Sequence, residues 1–267
     1  MRIPTPMSSV ELADHARAEV ADPLDLQLSS LGLAAIDALA LRPGQTIIDV
    51  GCGAGQTLQQ LASRVWPSGR IIGVDIAPRV LDVARFRTAG LSQIHLMHAD
   101  AATLALPDEM ADGVFSRFGV MAIDDPVAAF SNFRRMTKLN GRLSFVCWRS
   151  LDVNELDLFP LQAAGLDQPV DKTPFKFEQR DNLVKVLQLA GWLEISIEAF
   201  DARVSSGNID AMTTVLTKVG ALGQILRGTP ALRPGAEAKV RAALTVRERD
   251  ADISLTAATW IVTAKRK

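Results

Sequence analysis

The stretch TIIDVGCGAGQTLQQLA, residues 46–62, decides the fold of this chain of 267 residues. It joins a short apolar run and an acidic residue to three glycines at alternate positions, and then to a run with Leu58 and Leu61 at helical spacing. Glycines at a strand-to-helix turn can adopt a positive φ and let the backbone approach a ligand closely. The following helix directs free N–H groups at that ligand. The stretch therefore predicts a strand, a ligand-binding turn and a helix.

Strand-like and helix-like segments alternate from this unit to about residue 149. Four successive crossovers between short apolar strands predict a parallel sheet with helices on both faces. Two later runs predict closing strands that lie antiparallel, or nearly so, at one edge of the sheet. The expected fold class is therefore α/β, with a doubly wound, mostly parallel sheet. The predicted strands are residues 46–50, 70–75, 93–100, 112–118, 140–148, 193–200 and 253–265.

The remaining segments predict a helical periphery on a single domain. Ser8 and Glu11 have the spacing of a capping box, which opens a helix near the N-terminus. Residues 150–177 contain three prolines, among them Pro160, and are expected to be irregular. The expected parts are an N-terminal helical lid (1–40), a ligand-binding core (41–149), and the rest of the sheet (150–267) with a substrate-cap insertion near 205–250.

The spacing of the glycines distinguishes two classes of nucleotide. Dinucleotide loops read G-x-G-x-x-G, whereas this loop reads G-x-G-x-G and Asp49 stands two residues before the first glycine. A carboxylate there would repel a pyrophosphate but could accept hydrogen bonds from an ammonium group, directly or through water, which suits the amino-acid part of S-adenosylmethionine. Asp75 ends the second strand, where it can bond ribose hydroxyls, and Asp100 ends the third, where it can bond an adenine amino group. Taken singly, Asp75 also fits an NAD ribose and Asp100 also fits a cap of the next turn.

Four stretches resemble successive motifs of the class I S-adenosylmethionine-dependent methyltransferases. They are IIDVGCGAGQTLQQLA, IIGVDIAPRVLDVAR, HADAATLAL and DGVFSRFGVMAIDDPVAAFSNFRRMTKLNGRLSFVCWR, within residues 41–149. FKFEQRDNLVKVLQLAGWLEISIEAF and AATWIVTAK resemble the closing strands, which implies seven strands with one reversed. The resemblance implies S-adenosylmethionine as cofactor and these contacts: Asp49, Gly51, Gly53 and Gly55 around the methionine portion, Asp75 and Ile76 at ribose and adenine, Asp100 and Ala101 at the adenine edge, and Arg117 with Phe118 beside the cofactor.

The chain departs from the family's common pattern in two places. Asn140-Gly141 stands where a Pro-Gly-Gly turn usually precedes the fifth strand, and is expected to form that turn. Ala77 stands where a serine frequently caps the helix after the second acidic residue. Neither position is expected to touch the cofactor.

The acceptor of the methyl group is left open between classes. The loop after the fourth strand lacks an Asn/Asp-Pro-Pro-Tyr/Phe tetrapeptide, and the formal net charge is −1, which together disfavour DNA and RNA and favour a small molecule. His15 in the lid is a candidate base, although an exposed helix histidine is the alternative. Arg117 is a candidate for an acceptor anion, with an ion pair to a strand-end aspartate as the alternative. The aromatic residues expected to line the acceptor pocket or the core are Trp148, Phe159, Phe175 and Phe177.

Composition narrows the class further. The chain has no tyrosine, which excludes Tyr-Lys dehydrogenase chemistry, and 48% hydrophobic with 22% charged residues is typical of a globular protein. Cys52 and Cys147 form no disulfide framework and no metal-ligand spacing, and Asp124 with Asp125 is more typical of a helix cap than of a metal site. No signal peptide or membrane span is expected, so the predicted location is the cytoplasm.

The rival functions are a nicotinamide oxidoreductase and a non-catalytic S-adenosylmethionine-binding protein, and the oligomeric state stays open.

Overall fold

The computed structural model describes residues 7–248 and 253–267, and one seven-stranded sheet forms the centre of this part of the chain. Its strands are β1 (Thr46–Val50), β2 (Arg70–Asp75), β3 (Ile94–His98), β4 (Ala111–Arg117), β5 (Thr137–Trp148), β6 (Leu193–Val204) and β7 (Leu255–Lys265). The spatial order is β3-β2-β1-β4-β5-β7-β6. Strands β1 to β5 pair in parallel, and β7 runs antiparallel between β5 and β6. The expected α/β class with one reversed strand is confirmed.

The helices cover both faces of this sheet and extend beyond it. They are α1 (Ser9–Glu19), α2 (Ala21–Ala38), α3 (Gln56–Val65), α4 (Pro78–Thr88), α5 (Pro126–Met136), α6 (Glu155–Ala164), α7 (Arg180–Leu189), α8 (Ile209–Lys218), α9 (Gly220–Gly228) and α10 (Arg233–Glu248). The capping box predicted for α1 is confirmed, because Ser8 N–H donates to Glu11 Oε2 at 2.7 Å and Glu11 N–H to Ser8 Oγ at 3.3 Å. In the described ranges, no helix is both long and apolar enough to cross a membrane.

The central strands are apolar on both faces because each face is covered by helices. Ile47, Ile48 and Phe115 are fully buried, and they divide between two core clusters, one on each side of the sheet. The winding of the sheet reverses between β1 and β4. Ligands bind outside the carboxyl ends of parallel strands at such a reversal, so the fold directs attention to the loops after these two strands.

Two local expectations were wrong. Residues 150–177 are not wholly irregular, since α6 lies within them and holds Pro160 in its interior. Pro160 is buried, and burial of this helix face offsets the backbone hydrogen bond that a proline cannot donate. The Asn140-Gly141 pair does not enter the fifth strand, which begins at Thr137. It forms an irregularity inside β5, where Asn140 has a φ of 65°.

Candidate cofactor site

Asp49 lies in β1, one residue before its carboxyl end, and is fully buried. Thr57, in the first turn of α3, donates its hydroxyl to Asp49 Oδ2 at 2.5 Å, while Asp49 Oδ1 has no hydrogen-bond partner among the described residues. Burial raises the pKa of this carboxyl to about 7, against the lowering effects of the Thr57 bond and the nearby Arg117. A buried acceptor without a donor is rare and costly. It fits a site where a ligand supplies the missing donor.

The three glycines of the loop have positive φ angles of 72°, 52° and 89°, but their surroundings differ. A Cβ at Gly51 would lie 2.6 Å from the Cα of Gly119, and one at Gly55 would lie 3.1 Å from Ala84. A Cβ at Gly53 would meet nothing within 4 Å. Gly51 and Gly55 therefore permit close packing of the loop, whereas Gly53 borders open space of the kind a ligand would fill.

Asp75 is the last residue of the neighbouring strand β2, and Ile76 follows it. Gly53 N–H donates to Asp75 Oδ2 at 2.8 Å, and Ala77 N–H donates to Asp75 Oδ1 at 2.9 Å, so the carboxylate connects the two loops. Each oxygen keeps a second lone pair, and the side chain is half-buried. Ile76 is 62% exposed beside it. An acceptor for hydroxyl groups thus adjoins an uncovered apolar surface, which matches a ribose and its base.

The loop after β3 shows the capping arrangement for Asp100. Its side chain accepts a hydrogen bond from Ala102 N–H at 2.9 Å and begins a single 3₁₀ turn, Ala101–Thr103. The carboxylate is exposed, so it retains lone pairs for a ligand. The contacts of Asp100 and Ala101 with adenine remain predictions.

Arg117 is held by a partner that the sequence analysis did not consider. Its Nη2 lies 2.6 Å from Oδ1 of Asp25, a buried residue of α2, so its ion pair is with this residue and not with a strand-end aspartate. Arg87 of α4 binds the other oxygen of Asp25 at 2.6 Å. Arg87 also pairs with Asp22, so two carboxylates balance the two guanidinium groups and the charge of Arg117 is compensated. No motif marked Asp25, since its partners are 62 and 92 residues away.

A second carboxylate of the N-terminal helices was also missed. Asp14 of α1 accepts hydrogen bonds from Arg79 N–H at 2.9 Å and from Val80 N–H at 3.1 Å, both in the first turn of α4. Ala77 occupies the N-cap position of that helix and provides no side-chain acceptor. The absent cap at Ala77 was the signal in the sequence. The same contact places α1 against the loop that carries Asp75.

An aromatic pair lies at the carboxyl ends of β4 and β5. The rings of Phe118 and Trp148 stack with centroids 4.0 Å apart and an interplanar angle of 23°, and both residues are half-buried. Phe118 has a φ of 62°, a conformation that is rare for a bulky residue. Such backbone strain persists only where the surrounding structure enforces it, and it is concentrated at functional sites. Gly119, the next residue, lies against Gly51, so this pair adjoins the glycine loop.

The other candidates lie apart from this geometry. His15 borders a surface cavity of about 330 Å³ between α1 and α4, together with Arg79 and Asp82. Asp125 caps α5 through Ala128 N–H at 3.0 Å, and the described residues contain no cluster of side chains suited to a metal ion. Burial and the neighbouring Asp49 raise the pKa of the Cys52 thiol well above its usual value, so it stays protonated. A catalytic role of His15 remains a prediction.

Comparison with known proteins agrees with this geometry. Residues 48–145 match the family model described as a methyltransferase domain. An uncharacterized 37.1 kDa protein of transposon TN4556 from Streptomyces fradiae is 37% identical over 125 residues, 46% of this chain and 36% of that protein. The demethylmenaquinone methyltransferase of Staphylococcus aureus is 24% identical over 186 residues, 63% of this chain and 76% of the enzyme. The match thus spans about a third of the first relative.

Solved structures share the fold. Phosphoethanolamine N-methyltransferase 2 of Haemonchus contortus, in complex with phosphomonomethylethanolamine and S-adenosylhomocysteine, superposes with a TM-score of 0.63 at 15% identity. The superposition covers 99% of this chain and 61% of that one. The family match covers both the glycine loop and the strands on either side of the reversal in the sheet. Residues 48–145 therefore resemble a methyltransferase domain, and the sheet around them has the fold of the class I methyltransferases, the family that uses S-adenosylmethionine as cofactor.

Proposed function

We propose that this chain transfers the methyl group of S-adenosylmethionine to a small-molecule acceptor. The observation that carries the proposal is Asp49 Oδ1, a buried acceptor near the carboxyl end of β1 that has no partner among the residues the structure describes. An ammonium group, acting directly or through a water molecule, is the ligand donor that fits it best, because a positive charge also compensates a buried carboxylate. A dinucleotide would instead bring a pyrophosphate, whose charge repels Asp49.

The remaining residues fit the other portions of such a cofactor. The half-exposed Asp75 carboxylate accepts hydrogen bonds from sugar hydroxyls, and the exposed Ile76 side chain covers one face of the base. Gly53 leaves the space between them clear. When bound, the cofactor supplies an electrophilic methyl group on a positively charged sulfur. The chain's own work is then to position the acceptor in line with that methyl group and to exclude water.

The Phe118–Trp148 stack forms the wall of the acceptor site in this proposal. Two stacked rings beside the glycine loop offer a flat apolar surface, which favours a planar, unsaturated acceptor. Arg117, adjacent to this wall, is paired with Asp25 and so does not attract an acceptor phosphate. Two methyltransferases were named above. A demethylmenaquinone fits an aromatic wall better than a phosphoethanolamine does, so the proposed acceptor is closer to that of the Staphylococcus aureus enzyme.

The chemistry requires no nucleophile from the protein. Displacement at a sulfonium methyl group proceeds when the acceptor atom is held in line, and a base is needed only for acceptors that must lose a proton early. Cys52 stays protonated and cannot compete for the methyl group. Arg117 in this arrangement fixes the lid near the cofactor, and His15 remains the candidate base within the described ranges.

The first test is a calorimetric titration of the purified chain with S-adenosylhomocysteine, with NAD and NADP in parallel. Saturable binding of the homocysteine nucleoside alone is expected. Binding of a dinucleotide instead, or of none of the three, would overturn the proposed function. Turnover of planar acceptors with labelled S-adenosylmethionine then separates an enzyme from a protein that only binds the cofactor.

The chain offers a matched pair of variants for this titration. Gly53 and Gly165 have similar φ angles of 52° and 59°, and neither has a neighbour closer than 3.7 Å to an added Cβ. Alanine at either position should therefore cost a similar amount of stability, about 1–2 kcal/mol. Only Gly53→Ala should weaken binding of S-adenosylhomocysteine, because only its methyl group enters the proposed cofactor space. Equal affinities in the two variants would place the ligand elsewhere.

A further inference from the structure

We propose that Asp14 is a positioning residue for the ribose portion of the cofactor, acting as the N-cap of α4 from a different helix. The inference rests on the proposed cofactor site. It concerns a residue of the N-terminal lid that lies outside all of the methyltransferase-like stretches quoted from the sequence. Asp14 acts by accepting hydrogen bonds from free N–H groups at the start of α4.

The first turn of α4 has two N–H groups that need an acceptor from outside the helix. Pro78, the first helical residue, has no N–H, and Leu81 N–H already bonds the carbonyl of Ala77 at 3.3 Å. The two that remain belong to Arg79 and Val80. A serine, threonine, aspartate or asparagine at the N-cap normally accepts from these positions. Ala77 has the extended backbone of an N-cap, with φ −96° and ψ 108°, but no acceptor.

Asp14 satisfies both groups, one with each carboxylate oxygen. Oδ2 accepts from Arg79 at 2.9 Å, and Oδ1 accepts from Val80 at 3.1 Å. Only 3% of the residue is exposed, so these bonds are shielded from water. A negative charge at a helix N-terminus is also favoured by the helix dipole. The cap that the sequence lacks at position 77 is therefore supplied from 63 residues earlier in the chain.

The capped turn of α4 fixes the position of Asp75, the residue that we assign to the ribose. Ala77 N–H donates to Asp75 Oδ1 at 2.9 Å, so the orientation of that carboxylate depends on where α4 begins. The opposite oxygen is fixed by Gly53 N–H at 2.8 Å. If the first turn of α4 frays, Ala77 loses its place and Asp75 becomes free to rotate away from a ribose. Asp14 thus acts on the cofactor through Ala77 and Asp75, without touching the cofactor.

A second contact of the N-terminal helices supports the coupling. Arg87, which is paired with Asp25 of α2, also donates to the carbonyl of Ala54 at 2.9 Å, and Gln56 Nε2 donates to the carbonyl of Asp25 at 3.1 Å. The N-terminal helices are therefore linked to the end of the glycine loop, through Asp25, and to the start of α4 after Asp75, through Asp14. Displacement of α1 alone would remove the cap, while the Asp25 contacts would keep α2 in place.

The test compares S-adenosylhomocysteine affinity in four proteins: the wild type, Asp14→Ala, Asp14→Ala with Ala77→Ser, and Asp37→Ala. We expect Asp14→Ala to bind about fivefold more weakly, the factor that corresponds to one lost helix cap. Serine at position 77 supplies a local acceptor, so the double variant should regain most of the affinity. Asp37→Ala is the matched control, since Asp37 is an exposed lid carboxylate that pairs with Arg64 and touches neither cofactor loop.

Each outcome separates the inference from the proposed function. No binding by the wild type would overturn the proposed function and this inference with it. Wild-type binding with unchanged affinity in Asp14→Ala would overturn this inference alone. A double variant as weak as Asp14→Ala would show that the residue does not act as a cap. If Asp14→Ala fails to fold, Asp14→Asn keeps one acceptor oxygen and should show a smaller loss, again reversed by Ala77→Ser.

Discussion

Asp49 lies in β1, just before the glycine loop, and Asp157 lies in the helical cap, formed by α6 and α8–α10. Both are buried carboxyl groups, but their surroundings differ. Burial raises the pKa of both. Both oxygens of Asp157 are bonded, Oδ2 to Asn154 Nδ2 and Oδ1 to Ala221 N–H, each at 2.9 Å. Asp49 has one bonded oxygen and one without a partner in the described part of the chain. The described contacts account fully for Asp157, whereas Asp49 keeps one acceptor oxygen that we propose a ligand fills.

A third buried carboxylate tests whether complete pairing predicts a structural role. Asp25→Ala removes the partner of two guanidinium groups, of which the Arg117 side chain is only 11% exposed. An uncompensated buried charge is strongly destabilising, so the free energy of unfolding should fall by about 3–5 kcal/mol. Chemical denaturation measures the loss. A loss below about 1 kcal/mol would show that α2 is not held by this pair.

The control is an ion pair near the surface. Arg149 and Asp201 lie 2.8 Å apart, with 25% and 46% of their side chains exposed. Asp201→Ala should change the free energy of unfolding by no more than about 1 kcal/mol, because water and salt screen such a pair.

Asp157→Ala tests the structural side of the comparison directly. The variant leaves Asn154 Nδ2 and Ala221 N–H without their acceptor in a buried setting. We expect a loss of about 2–4 kcal/mol in the free energy of unfolding. The affinity for S-adenosylhomocysteine should stay within about twofold of the wild type, since α6 and α9 lie outside the proposed cofactor site. A drop in affinity comparable to that of an Asp49 variant would remove the distinction between the two carboxylates.

The sequence predicts these two regions to different degrees. The order of strands and helices up to β5 follows from short-range patterns: apolar runs, turn glycines and the spacing of helix faces. Asp49, the three glycines and Asp75 could be named because each lies beside a strand end that periodicity locates. Local pattern and tertiary position coincide there.

The structure of the helical cap and the contacts of the N-terminal helices could not be predicted from such local patterns. Pro160 suggested a loop, but the buried apolar face of α6 keeps it helical. Asp14 and Asp25 find their partners 62 to 92 residues away, and no local spacing records such a pairing. The division into lid, core and insertion remains a prediction, as do the contacts of the individual site residues with the cofactor.

Asp49→Asn tests the ligand side of the comparison. The amide can still accept from Thr57, but it carries no charge to hold an ammonium group. We expect the affinity for S-adenosylhomocysteine to fall by about 10- to 100-fold, the range for a hydrogen bond to a charged group. Calorimetry measures the affinity, and Asp157→Asn serves as the control. The stability of Asp49→Asn should match or exceed that of the wild type, and a large loss of stability would mean that Asp49 is structural.

The pH dependence of binding gives the finest test, because it depends on the charge of Asp49 alone. With a pKa of about 7, the carboxyl of the free protein is mostly protonated at pH 6.0 and mostly ionised at pH 7.5. If the ammonium group binds only the ionised form, affinity rises about eightfold over this range. Asp49→Asn should show no such rise. An equal rise in both proteins would assign the titration to another group or to the ligand.

The stability of the free protein should change in the opposite direction. The pKa of Asp49 lies above that of a carboxyl in the unfolded chain, so the unfolded chain releases its proton first as pH rises. The contribution of Asp49 to the free energy of unfolding is therefore present below about pH 4 and lost as pH rises through about 7. Because burial raises the pKa of Asp157 in the same sense, the quantity to compare is the difference between wild type and Asp49→Asn. Relative to Asp49→Asn, the wild type should lose stability and gain affinity as pH rises. That pair of opposite slopes would identify Asp49 as the group that releases its proton when the cofactor binds.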